Sequence, residues 1–185
     1  MAHQAQFPAS ERHRLVDEER QRRQPVEMLL ARIRPRKGEA IADLGAGVGY
    51  LSLPLAAAGA EVIALDSQQE MLEGLRERGN GSERVQLVKA ILPSIPLRDA
   101  SLDRVVMVNV LHEVEDKAGL AKEIARVLRP TGRMTLVDWQ ARETGRGPPL
   151  HERVPVELAP SIFEGFVLER GYDDGDHYHL ELRRE

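Results

Sequence analysis

One ten-residue stretch constrains this chain more than any other. Ile41-Ala42-Asp43-Leu44-Gly45-Ala46-Gly47-Val48-Gly49-Tyr50 is a short apolar run that closes on an acid and then breaks into three glycines at alternate positions. Glycine reaches backbone conformations that other residues avoid and has no side chain to hold a ligand off, so a strand ending in such a turn brings bare amides against whatever binds there. Twenty-one residues after Gly45 the apolar run 62–65 ends in Asp66. That is about the interval over which a βαβ unit returns an acidic side chain to a nucleoside ribose. Turn and acid together point to a nucleoside-containing cofactor. The spacing narrows the choice, because a dinucleotide turn of the form G-x-G-x-x-G needs a small residue where this chain has Tyr50. No Lys-Ser/Thr pair follows the glycines, which excludes a P-loop.

Around this turn, strand and helix patterns alternate. The periodicities predict strands at 40–44, 61–65, 85–89, 103–108 and 133–138 and helices at 49–58, 68–78 and 117–128. Interleaving of this kind implies a parallel sheet covered on both faces. Ser67 and Glu70 make a capping box for the helix at 68–78, and Gly79-Asn80-Gly81 stops it. After an irregular loop at 145–149 come a short helix at 155–164, disturbed by Pro160, and two late strands at 166–170 and 177–183. The last strand sets His177, His179, Glu181 and Arg183 against Tyr178, Leu180 and Leu182, which predicts one wet face. At the other end, residues 1–9 read as disordered. Residues 11–23 carry five arginines and four acids around only Leu15 and Val16, which predicts a solvated helix. Pro25 suits a helix start, and Val26, Leu29, Leu30 and Ile33 lay one apolar stripe along the next helix.

The remaining bulk properties act as exclusions. A chain of 185 residues is expected to form one domain with an ample core. Its lack of cysteine rules out disulfides, thiolate nucleophiles and zinc-thiolate sites, and is expected of a cytoplasmic protein. No apolar run approaches the roughly 20 residues of a membrane span, and the polar start lacks the pattern of a signal peptide. A net charge of -4 offers no global attraction for nucleic acid. The six histidines show no ligand spacing with carboxylates, so no metal site is expected.

Five motifs in order give the chain a family resemblance: Asp-Leu-Gly-Ala-Gly-Val-Gly at 43–49, Leu-Asp-Ser-Gln-Gln-Glu-Met-Leu at 65–72, Asn-Val-Leu-His-Glu-Val at 109–114, Val-Leu-Arg-Pro-Thr-Gly-Arg at 127–133 and Val-Asp-Trp at 137–139. Over roughly residues 25–183 the chain resembles the class I S-adenosylmethionine (SAM) dependent methyltransferases. The resemblance is to the small single-domain group related to the ubiquinone and menaquinone biosynthesis enzymes. It implies an α/β fold, a doubly wound and mostly parallel seven-stranded sheet with N-terminal helices. Residues 25–185 would form the methyltransferase domain, and residues 1–24 a tail and charged helix that could act as a lid. It also implies SAM as cofactor and S-adenosylhomocysteine (SAH) as product. By resemblance the cofactor would meet Asp43, Gly45, Ala46, Gly47, Gly49, Tyr50, Asp66, Ser67, Met71, Ile91, Leu92 and Asn109. Ile91 and Leu92 would hold the adenine edge, and Asn109 would line the methionine end. Many relatives carry an acid after the third strand, where this chain has Ile91-Leu92-Pro93-Ser94, so adenine would be read by backbone and apolar contact. The arsenic-methylating branch depends on cysteines and is excluded here.

The chemistry suits these residue types. Methyl transfer from a sulfonium is an in-line displacement in which orientation is the main catalytic resource, and a neutral nucleophile also needs a base. Asp43 beside the turn can meet the α-ammonium of the cofactor, and the two acceptor oxygens of Asp66 match the donors of a ribose diol. His112 is the candidate catalytic base. Glu113, Trp139, His151 and Arg153 join it as candidates for the acceptor pocket. For Trp139, packing under a loop and lining that pocket both stay open. The acceptor is expected to be a small molecule, with no membrane or nucleic-acid partner and a monomer or homodimer as assembly. Methylation of a protein or nucleic acid, and a SAM- or SAH-binding module without catalysis, remain as alternatives. A nicotinamide-dependent oxidoreductase is disfavoured by Tyr50.

Overall fold

A computed structural model describes residues 6–185. Residues 1–5, part of the stretch expected to be disordered, lie outside the described residues. Seven strands form a mostly parallel sheet in the order β3-β2-β1-β4-β5-β7-β6, and the chain groups into two compact units, 7–91 and 92–185.

In the first unit three parallel strands, β1 (Ala40–Leu44), β2 (Glu61–Asp66) and β3 (Val85–Lys89), pair with Leu44 opposite Leu65 and Asp66 opposite Lys89. β1 is buried from position 41 to its end, as expected of a strand covered on both faces. The N-terminal part holds two short pieces instead of the single expected helix. A 3-10 helix at Ala9–Leu15 is followed by α1 (Glu18–Arg23), whose N-cap Asp17 accepts a hydrogen bond from the Arg20 N–H at 2.8 Å. An aspartate that caps a helix so readily starts a new one, which is why the periodicity of this charged stretch does not run through. α2 (Val26–Ile33) begins after Pro25 and buries Leu29 and Ile33. The helix expected at 49–58 is shorter, α3 (Ser52–Ala57), because the glycine turn consumes its first residues. α4 (Gln69–Arg78) lies where expected, but no side chain caps it, so the anticipated capping box does not form. The Asp66 carboxylate takes the Gln68 N–H there instead, at 2.9 Å.

In the second unit β4 (Leu102–Val108) runs parallel to β5 (Leu128–Trp139). Between them lies α5 (Lys117–Val127), capped by Asp116, which accepts from the Gly119 N–H at 2.7 Å. β6 (Phe166–Asp173) and β7 (His177–Arg184) form an antiparallel pair that continues antiparallel onto β5. The helix expected at 155–164 shrinks to α6 (Ala159–Ile162).

The wet face predicted for β7 is wrong. His177, His179 and Glu181 are all buried. Glu181 Oε2 pairs with Arg104 Nη1 at 3.2 Å, Thr135 Oγ1 donates to the same carboxylate at 3.0 Å, and His179 Nε2 lies 2.6 Å from Oε1. Tyr172 stands edge-on to His179 at 5.5 Å between ring centroids. Polar residues at every second position mark a solvated face only when the fold supplies them no partners, and here Arg104 of β4 and Thr135 of β5 supply those of Glu181, which in turn holds His179.

Candidate functional site

Within residues 7–91 the strand end at Leu44 feeds the glycine turn. The amides of Gly45 and Ala46 donate to the Leu65 carbonyl at 2.8 and 3.0 Å, fixing the turn against the end of β2. The glycines divide the work. A Cβ on Gly49 would fall 2.7 Å from Leu75 Cγ, so Gly49 lets α4 pack closely. Gly47 adopts φ 54°, and its N–H donates to Asp66 Oδ2 at 2.8 Å. The two acids of the motif therefore meet the turn from different strands. Burial raises the Asp66 pKa above its ordinary value, against the opposing pull of the amides of Gln68, Gly47 and Ser67. Of the roughly four lone-pair sites of a carboxylate, these three amides leave one open.

Asp43 is almost fully buried and takes the Ser52 hydroxyl at 2.5 Å. Burial pushes its pKa up to about 7, with the Asp66 charge adding to the rise and the Ser52 bond and Arg20 opposing it. Among the other expected cofactor contacts, Ala46 and Met71 face the core, Ser67 and Leu92 are half-buried, and Ile91 is 70% exposed. Tyr50 turns toward the N-terminal segment. Its hydroxyl donates to the Gln24 carbonyl at 2.6 Å, and its ring lies 4.5 Å beneath the Arg20 guanidinium carbon. That segment also reaches the turn itself. Leu15 Cδ1 would stand 3.1 Å from a Cβ on Gly47, Gln68 Nε2 donates to the Phe7 carbonyl at 2.8 Å, and Arg12 donates to the Glu70 carbonyl at 3.3 Å.

Within residues 92–185 the 3-10 turn Leu111–Glu113 follows β4, introduced by Asn109 in the left-handed conformation, φ 59°. Asparagine tolerates that region better than most residues. The turn swings His112 onto the end of β5. His112 Nδ1 lies 2.7 Å from Asp138 Oδ1, and the His112 amide donates to Oδ2 at 3.2 Å. A carboxylate only accepts, so Nδ1 carries the ring proton and Nε2 is left as the basic nitrogen. Burial by itself would push the His112 pKa down, but the hydrogen bond to Asp138 and the charges of Asp138, Glu113 and Glu152 outweigh it and hold the imidazole above its ordinary value. Asp138 was not singled out from the sequence. Its presence in Val-Asp-Trp was visible, but the partner 26 residues away was not.

The other pocket candidates separate. Trp139 packs against His177 with the rings tilted by 45° and 4.2 Å between centroids, and a Cβ on Gly147 would meet the indole at 2.7 Å, so the ring is packed beneath the 140–148 loop. Arg153 clasps that loop, donating to the carbonyls of Pro148, Gln140, Arg142 and Arg146 and to Thr144 Oγ1. His151 is exposed beside Glu152. Among the described residues no group of three His, Asp or Glu side chains is placed to hold a metal ion.

Residues 42–136 match the family described as methyltransferase domain. The chain belongs to the methyltransferase domain family. It is 41% identical over 108 residues to a demethylmenaquinone methyltransferase of Clavibacter sepedonicus, covering 58% of this chain and 44% of that protein. It is 31% identical over 137 residues to a ubiquinone/menaquinone biosynthesis C-methyltransferase of Acidiphilium cryptum, covering 72% and 55%. The chain thus spans about half the length of these curated relatives. The crystal structure of a SAM dependent methyltransferase from Aquifex aeolicus superposes with a TM-score of 0.90 at 26% identity, over 97% of this chain and all of that one. The cofactor of this methyltransferase family is SAM. Among the described residues no helix of the methyltransferase domain is long and apolar enough to cross a membrane.

Proposed function

We propose that this chain transfers a methyl group from SAM to a small organic acceptor, with His112 taking the acceptor's proton. The observation that carries the reading is the glycine turn locked to Asp66 through the Gly47 N–H at 2.8 Å, within a methyltransferase domain. The residues present fit the cofactor. Asp66 would take the ribose hydroxyls, Asp43 the α-ammonium, and exposed Ile91 the adenine face. When bound, SAM supplies a methyl on a positively charged sulfur.

The protein's own part is orientation and proton handling. His112 Nε2 would take the proton that the acceptor gives up on methylation. Asp138 holds the ring in the tautomer that leaves Nε2 basic and stabilises the imidazolium that results. The names of the relatives from Clavibacter sepedonicus and Acidiphilium cryptum favour quinone precursors as the first acceptors to try.

The test is transfer of an isotope-labelled methyl from SAM to demethylated naphthoquinols and related phenols, with wild type, His112→Asn and Asp138→Asn. Losing the base should lower turnover by about 10²–10⁴-fold, and Asp138→Asn should lower it in the same direction while SAH affinity stays unchanged. Full turnover in the His112 variant would remove His112 from the reaction. Tight SAH binding with no labelled product from any acceptor or from cell extract would make the chain a binding module.

A further inference from the structure

Arg20 differs from the ion-paired arginines of its segment. Arg14, Arg22 and Arg23 pair with Glu11, Glu18 and Glu19 one turn away and remain at the surface. Arg20 instead turns its guanidinium onto the Tyr50 ring, 4.5 Å from the centroid. Part of the residue keeps its exposure, but Nε is sealed from solvent and has no hydrogen-bond partner among the described residues. Nη2 donates to Gln24 Oε1 at 3.1 Å, and the Tyr50 hydroxyl holds the Gln24 backbone carbonyl at 2.6 Å. The side chain is thus placed by two anchors on the residue that follows the third glycine. Burial pulls the Arg20 pKa down to about 10, with the charges of Tyr50 and Asp43 opposing the fall.

Leaving a donor of a buried guanidinium unpaired is costly, and the cost is removed when an anion arrives. The carboxylate nearest in charge, Asp43, already takes the Ser52 hydroxyl. The amino-acid end of SAM and of SAH carries both an ammonium and a carboxylate, and the first unit offers one buried acid and one buried guanidinium beside the same turn. We infer that Arg20 binds the α-carboxylate of the cofactor, so that α1 is a working part of the cofactor site. The inference rests on the cofactor reading above. It turns the solvated helix expected from the charge pattern into a reader of the zwitterion: Asp43 selects the ammonium, Arg20 the carboxylate, and a nucleoside without the amino-acid end gains nothing from either.

The experiment uses SAH and 5′-methylthioadenosine, which keeps the nucleoside and the sulfur but lacks the amino-acid end. Calorimetry on wild type, Arg20→Met and Arg20→Lys should show SAH affinity lowered about ten- to a hundredfold by the methionine and less by the lysine, with methylthioadenosine affinity unchanged. Equal weakening of both ligands, or no weakening of SAH, overturns the proposal. Should the methionine variant fail to fold, hydrogen exchange on wild type decides: SAH is expected to protect the amides of residues 18–24 and methylthioadenosine to leave them unprotected. Equal protection by the two ligands overturns the proposal as well. A wild type that binds neither ligand removes the cofactor reading itself, whereas one that binds both with no Arg20 dependence removes this inference alone.

Discussion

Asp43 is ordinary as a letter in the sequence and unusual in place. Burial lifts its pKa to about 7, above the 3.8 of an unperturbed aspartate, so the folded protein holds a proton that the unfolded chain would release. A raised acid of this kind costs stability as pH climbs from the unfolded value through the folded one. The same shift acts in the opposite sense on binding, because an α-ammonium is met by the ionised form. SAH affinity should therefore rise as pH passes from about 6 to about 8, and Asp43→Asn, neutral throughout, should bind weakly with a flat profile. Calorimetry across that range is the measurement, and a wild-type profile as flat as the variant's would take Asp43 out of ammonium recognition. Both acids of the turn were legible in the sequence because a local pattern surrounds each of them. Ser52, Gln24 and Asp138 were not, since each matters through a partner that only the folded chain brings near: Asp43, Tyr50 and His112.

At the level of elements, strand–helix order could be read almost entirely from apolar periodicity, and the departures share a cause. α3 loses its start to the turn, the N-terminal helix is split by Asp17, and β7 buries the face that alternation assigned to water. Hydrophobic patterning reports whether a side chain is polar, never whether the fold has found it a partner. The β7 network carries a prediction of its own. With Arg104 and Glu181 both buried, removing one member leaves an uncompensated charge, so Glu181→Ala should cost about 3–5 kcal/mol of stability. Replacing Arg104 and Glu181 together with Met and Leu should cost much less. Urea midpoints for the single and double variants test this, and a double variant as unstable as the sum of the singles would show that the pair is held for packing and not for charge balance.

For the molecule as a whole, a ligand that binds only the folded state raises stability by mass action, about 2.7 kcal/mol at a hundred times its dissociation constant. For a chain of this length that corresponds to about 5–10 °C in melting temperature. SAH should produce such a shift and NAD none, because Gly49 arrives one residue early for a dinucleotide turn and Tyr50 fills the place of a small residue. A larger shift with NAD than with SAH would contradict the reading of the glycine spacing. Family and fold lay open in a handful of motifs, whereas the acceptor did not, since the residues that would contact it sit on loops, whose course depends on distant side chains. The clasp of Arg153 shows what that dependence permits. Four of the five groups it holds are main-chain carbonyls, which every amino acid provides. The path of residues 140–148 is thereby uncoupled from most of its spelling: side chains such as those of Ala141 and Glu143 can be exchanged for others while the backbone keeps its course, so the surface this loop presents can change without the fold being rebuilt.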